Sequence, residues 1–168
     1  FQNTLLNPRG AKRLSPGQHI PEAELSIADQ KQVACLMRVN HTGEICAQAL
    51  YLGQALVAQD KHTREHLLHA AEEEADHLDW CAQRLHELNS HPSILNMIFF
   101  SCSVLTGMLA GLASDQISLG FIAEIEKQVA KHLSEHLTRL PPQDYKSRAV
   151  VNQMQLDEIR HQNDALNA

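Results

Sequence analysis

Apolar residues recur along the chain at helical spacing and do not alternate as they would in half-buried strands. From Ser26, a candidate N-cap opening the stretch "SIADQ", the positions Val33, Met37, Glu44, Gln48, Tyr51 and Ala55 fall on one helical face. They predict a helix running to about Ala58. A polar break, "QDKHT" at 59–63, separates it from a second helix over about 64–88, with Leu67, Ala70, Ala71, Glu74, His77, Leu78, Cys81 and Leu85 as its inner stripe. "NSHPS" ends that helix, and residues 92–114 then contain no Asp, Glu, Lys or Arg at all. This apolar stretch is predicted to be a crossover reaching about residue 117. Helices over about 118–140, stopped by "LPPQD", and over about 145–166 complete the pattern. Residues 1–25 read as an irregular arm, because Pro8, Gly10, Pro16, Gly17 and Pro21 break any helix, and Arg9, Lys12 and Arg13 make it locally basic. The expected class is all-α, with one helical domain over 26–168.

Composition narrows what such a domain can do. A chain of 168 residues can bury a full core without disulfide staples. Its four cysteines, Cys35, Cys46, Cys81 and Cys102, form no C-x-x-C pair, so neither a zinc site nor a disulfide framework is expected, and a reducing compartment fits best. The net charge of −6 argues against nucleic acid as a partner, since a basic face would be needed. No secretory leader is expected at the N-terminus. The chain starts at Phe1 without an initiator Met, as a trimmed chain would. The informative excess is histidine, with eleven.

Glu44 sits among the apolar positions of its helix, where a carboxylate is costly unless paired or metal-bound. Two E-x-x-H pairs, Glu74–His77 and Glu158–His161, suggest the compensation, since residues three apart on a helix aim at one point. A single such pair is more often a solvated surface contact. The spacing of the whole set changes that reading. Glu44 and Glu74 are equidistant from residue 59, in the first break, and Glu126 and Glu158 are equidistant from residue 142, in Pro141-Pro142. In an antiparallel hairpin, equidistant residues lie level, here roughly 20 Å from the turn at 1.5 Å per residue. Two hairpins packed face to face would gather four Glu and two His at one height. That is the ligand set of di-iron and di-manganese carboxylate bundles. Oxygen-rich ligation with two imidazoles suits iron or manganese better than zinc or copper. The expected architecture is therefore a ferritin-like four-helix bundle of two antiparallel hairpins joined by the apolar helical crossover, with Glu44, Glu74, His77, Glu126, Glu158 and His161 as metal ligands.

The neighbours have blander readings. Glu72, Glu73 and Asp76 lie off the inner stripe and are expected on a solvated face. His41, one turn before Glu44, is expected to start the helix or to support a ligand rather than to bind metal. Glu124 competes with Glu126, but the stripe Ile122, Glu126, Val129, Leu133 favours Glu126. Asp157 is equally suited to plain exposure and to accepting a hydrogen bond from a ligand histidine of another helix.

The segments "LMRVNHTGEICAQALYLGQAL" (36–56), "EEEADHLDW" (72–80), "SLGFIAEIEKQVAKHLSEHL" (118–137) and "DEIRH" (157–161) resemble the demethoxyubiquinone hydroxylases of ubiquinone biosynthesis, particularly the bacterial members. The resemblance covers nearly the whole chain from about residue 20. It implies that the same six residues hold two Fe ions, and that His132 lies near them. It further implies O2-dependent hydroxylation of the ring of a demethoxyubiquinol, on a polyprenyl quinol substrate. The setting it implies is peripheral, on the cytoplasmic face of the bacterial inner membrane. Members of that family usually continue into a further apolar segment where this chain ends at Ala168, so membrane attachment or substrate enclosure is expected to be incomplete here. No Gly-rich dinucleotide loop is visible, so electrons are expected from the quinol or an external reductant. There is room for self-association or for a partner protein of the quinone pathway.

The crossover 92–114 is long enough to span a bilayer, and carries a G-x-x-x-G pair, Gly107 and Gly111. A true span would separate the two hairpins and destroy the shared centre, so contact with a membrane surface is expected instead. Iron storage, a manganese catalase and a non-catalytic membrane-docking module are the competing readings. The last leaves the aligned carboxylates unexplained.

Overall fold

A computed structural model of the chain describes residues 12–167. Pro8, Arg9, Gly10 and Ala168 lie outside the described residues. Among the described residues five helices follow one another: α1 (Ile27–Val57), α2 (Lys61–Glu87), α3 (Asn96–Ala113), α4 (Asp115–Arg139) and α5 (Tyr145–Asn167). No strand occurs among the described residues. The chain forms a ferritin-like helical bundle, with α1 against α2 and α4 against α5 as its two hairpins.

Capping explains where the helices begin. Ser26 Oγ accepts from the Asp29 backbone N–H at 3.1 Å, as its position in the sequence predicts. Two starts fall three residues earlier than the polar breaks suggest. Asp60 accepts from Thr63 N–H at 2.8 Å and starts α2 at Lys61, while Ser114 Oγ accepts from Ile117 N–H at 3.1 Å and starts α4 at Asp115. Asp115 also receives the backbone N–H groups of Gln59 and Asp60, at 3.2 and 2.8 Å, so the first hairpin turn is tied to the start of the second hairpin. The crossover is accordingly helical only over Asn96–Ala113 and does not reach residue 117.

Two large apolar clusters, beside a small one of Ile45 and Leu78, fill most of the bundle. One contains Met37, Trp80, Leu85, Leu133, Val151 and Met154, and the other Leu50, Ala55, Leu67, Ile122 and Ala165. Along every bundle helix, a polar layer separates them. Below it, buried Arg84 of α2 binds both oxygens of Glu22, Ser147 Oγ at 2.7 Å and Asp144 at 3.2 Å, and so joins the arm to the start of α5.

Helix α3 runs alongside α1, and its glycines set how close it comes. A Cβ on Gly107 would strike the carbonyl of Leu50, and one on Gly53 would strike the carbonyl of Val104, so the two backbones touch directly. The G-x-x-x-G pair thus serves packing within the chain. Only Asn96, Gly107 and Gly111 of α3 are buried. Leu105, Leu109 and Leu112 are 62%, 71% and 61% exposed, on a helix long and apolar enough, by length and composition, to cross a membrane.

Candidate metal centre

The six carboxylates and imidazoles of the polar layer are all at most 4% exposed. α1 supplies Glu44, α2 supplies Glu74 and His77, α4 supplies Glu126, and α5 supplies Glu158 and His161. They form two overlapping groups able to hold a metal ion, each with its ligand atoms within 4.8 Å of one another. One is Glu44, Glu74, His77 and Glu158, and the other is Glu74, Glu126, Glu158 and His161. Glu74 and Glu158 belong to both. Each divides its oxygens between the halves: Glu74 Oε2 lies 3.1 Å from His77 Nδ1 and its Oε1 3.1 Å from His161 Nδ1, while Glu158 Oε1 lies 3.1 Å from His77 Nδ1 and its Oε2 3.3 Å from His161 Nδ1.

Hydrogen bonding alone does not satisfy this cluster. His77 Nδ1 faces oxygens of Glu44, Glu74 and Glu158 at 3.3, 3.1 and 3.1 Å, and one imidazole N–H cannot serve three acceptors. Glu126 Oε2 is buried without a hydrogen bond, and Glu74 Oε1 and Glu158 Oε1 face only imidazole nitrogens that other carboxylate oxygens already crowd. Such orphans are rare in a folded protein, and convergent carboxylate oxygens with two imidazoles are the donor set of a cation site. The residues therefore fit a metal pair.

The same crowding polarises the protonation states. Burial, with the charges of Glu74 and Glu158, pushes the Glu44 carboxyl well above the usual range, and burial does the same to Glu126. Glu74 and Glu158 go the other way, because hydrogen bonds from the two histidines outweigh the penalty of burial. Burial also opposes charge on the imidazoles, yet their carboxylate partners raise His77 well above its ordinary value and push His161 up to about 12.

Outward of these six residues, each histidine has a carboxylate on its far nitrogen. His77 Nε2 lies 3.0 Å from Asp157 Oδ2, and His161 Nε2 lies 3.0 Å from Glu73 Oε2. Asp157 is thus buried against His77 and not plainly exposed. The solvated readings of Glu73 and Asp76 need correction: Glu73 is half-buried against His161, and Asp76 is buried, accepting from Arg13 Nε at 2.7 Å. Both face residues of another element, which no pattern along α2 reveals. Glu72 is more exposed and pairs with Lys12 at 2.6 Å. Tyr51 was legible only as an inner apolar position, yet its Oη donates to Glu126 Oε1 at 2.6 Å.

His41 is buried in mid-helix, not at a helix start, with Nδ1 3.4 Å from Asn96 Nδ2, and burial lowers its pKa to about 4. Glu124 is exposed and pairs with Lys127. His132 is exposed and packs on His136, with ring centroids 3.9 Å apart. It lines a groove of about 570 Å³ between α1 and α4, together with Val39, Asn40, Gly43, Ile125 and Val129, and Glu44 forms part of the wall.

Comparison with known proteins agrees over almost all of the chain. A protein of Pseudomonas fluorescens (strain Pf-5) named 3-demethoxyubiquinol 3-hydroxylase is 56% identical over 156 residues, covering 93% of this chain and 73% of the relative. A protein of the same name from Ectopseudomonas mendocina is 53% identical over 166 residues, covering 98% and 77%. One from Pseudomonas aeruginosa (strain LESB58) is 54% identical over 93% of the chain and 73% of the relative. The family described as Ubiquinone biosynthesis protein COQ7 matches residues 31–168, and the chain belongs to that family.

Proposed function

We propose that the chain is a di-iron monooxygenase that hydroxylates the ring of a demethoxyubiquinol, using O2 and electrons from a reductant or from the quinol itself. The observation that carries the proposal is the pair of overlapping ligand groups, Glu44–His77 and Glu126–His161, which share Glu74 and Glu158. In this reading His77 and Glu44 would hold one ion, His161 and Glu126 the other, and Glu74 and Glu158, which belong to both groups, would contribute to both. Two iron ions held there would supply the activation of O2 for transfer of one oxygen atom to the ring. The protein contributes a dry, charge-balanced layer between two apolar clusters, and the α1–α4 groove gives the ring a way to Glu44. Tyr51 holds Glu126 through a hydrogen bond to one oxygen and leaves Oε2 free to face a cation.

Peripheral attachment at the cytoplasmic face of the inner membrane fits the exposed apolar side of α3, because the polyprenyl tail of the substrate resides in lipid. The four free thiols fit the reducing side of that membrane. Supplying demethoxyubiquinol, O2 and a reductant should give a product heavier by one oxygen. Glu126→Ala should remove most bound iron and that product together, and normal turnover in this variant would overturn the ligand assignment. Replacing Phe99 and Leu105 by Ser should weaken sedimentation with anionic liposomes while sparing metal content; unchanged sedimentation would refute attachment through α3.

A further inference from the structure

The two halves of the proposed centre are supported differently, and the difference lies in the N-terminal arm. Glu73, which backs His161, is held by Arg160 of α5 at 3.0 Å, so that half is braced by bundle helices. Asp157, which backs His77, receives Gln153 and Arg160 of its own helix on Oδ1 at 3.2 and 3.3 Å, but on Oδ2, the oxygen that faces His77, it receives Arg13 Nη1 of the arm at 2.7 Å. The same guanidinium gives Nε to Asp76 Oδ2 at 2.7 Å, while the backbone N–H groups of Lys12 and Arg13 reach Asp76 Oδ1 at 2.6 and 3.3 Å. Asp76 belongs to α2 and Asp157 to α5, so Arg13 clips the two hairpins together at the height of the ligands. Trp80 fixes the clip from below: its indole N–H donates to the Arg13 carbonyl at 3.1 Å, and the guanidinium lies 4.8 Å from its ring centroid.

We infer that Arg13 is a positioning residue for the His77 half of the centre, holding the Asp157 carboxylate against His77 Nε2 so that Nδ1 faces Glu44, Glu74 and Glu158. The physical link is a chain of three contacts. The cation fixes Asp157, Asp157 accepts a hydrogen bond from His77 Nε2–H, and the tautomer so selected leaves the Nδ1 lone pair for a metal. A lysine could satisfy one of the two aspartates but not both, because it lacks the planar fork that spans them. This inference rests on the six-ligand reading above.

Half-site variants separate the possibilities. Glu126→Ala leaves the His77 half, and Glu44→Ala leaves the His161 half. Binding of Co(II) alone, followed by its visible ligand-field spectrum and by competition with a chelator, measures each half without any turnover. Arg13→Ala should weaken Co(II) binding about tenfold in the Glu126→Ala protein and alter its spectrum, and should change binding less than about twofold in the Glu44→Ala protein. Arg13→Lys, which keeps the charge and guards against misfolding of the alanine variant, should fall between. Equal weakening in both backgrounds, or none in either, overturns the inference while leaving the ligands intact. If the parent chain fails to bind two equivalents of Co(II), the ligand reading itself fails, and the inference with it.

Discussion

Filling the proposed centre with Fe(II) should expel close to four protons at pH 7, and the number follows from charge balance in a buried layer. Four carboxylates and two imidazolium rings would leave two uncompensated negative charges beyond the reach of water, which is a heavy penalty. Burial favours the protonated forms of Glu44 and Glu126, and the histidine contacts favour ionised Glu74 and Glu158 beside charged His77 and His161, so charge balance predicts a neutral layer before metal enters. Two Fe(II) ions balance four carboxylates with neutral imidazoles. Loading therefore removes a proton from Glu44, Glu126, His77 and His161, since metal ligands must be deprotonated. Each proton released makes binding stronger by about 1.4 kcal/mol per pH unit, so the pair of ions should gain roughly 5 kcal/mol for each unit of rising pH and lose it on acidification. Anaerobic titration with ferrous salt in a weakly buffered dye solution counts the protons directly. Calorimetry in buffers of different ionisation enthalpy counts them independently. Release of one proton or fewer would refute the charge-balance argument, because the cluster would then be unprotonated before the metal arrives.

Two further outcomes follow from single contacts. Tyr51→Phe leaves Glu126 Oε1 buried without its donor, so the metal-free protein should lose about 1–3 kcal/mol and melt several degrees lower in a thermal scan, with a smaller loss after iron loading; equal melting in the metal-free forms would show that the contact contributes nothing. Gly107→Val forces side-chain atoms into the Leu50 carbonyl and should cost about 1–3 kcal/mol in urea unfolding, whereas Gly120→Ala, where a Cβ meets nothing within 4 Å, should stabilise by roughly 0.5–1 kcal/mol. Equal effects at the two glycines would refute the close seating of α3 on α1.

The helices and the level layer were legible because both depend on periodicity within one element and on arm length about a turn. Glu44 and Glu74 meet since both lie equally far from residue 59, and Glu126 and Glu158 since both lie equally far from residue 142; distance along a regular helix is distance in space. Early helix starts at Lys61 and Asp115 escaped this reading, because a cap is made by one side chain, Asp60 or Ser114, inside what composition marks as a break. The supports of the layer escaped it for a different reason. Glu73 and Asp76 stand on the side of α2 that an isolated amphipathic helix gives to water, and only the approach of His161 from α5 and of Arg13 from the arm removes that water. Arg13 itself sits in a stretch broken by Pro16 and Gly17, where periodicity carries no signal. The general consequence is physical. A converging layer can be read from a repeat, since each member obeys its own helix, but the groups that hold its members in place answer to neighbours across the bundle. In this chain that division falls between Glu44, Glu74, His77, Glu126, Glu158 and His161 on one side, and Arg13, Tyr51, Glu73 and Asp76 on the other.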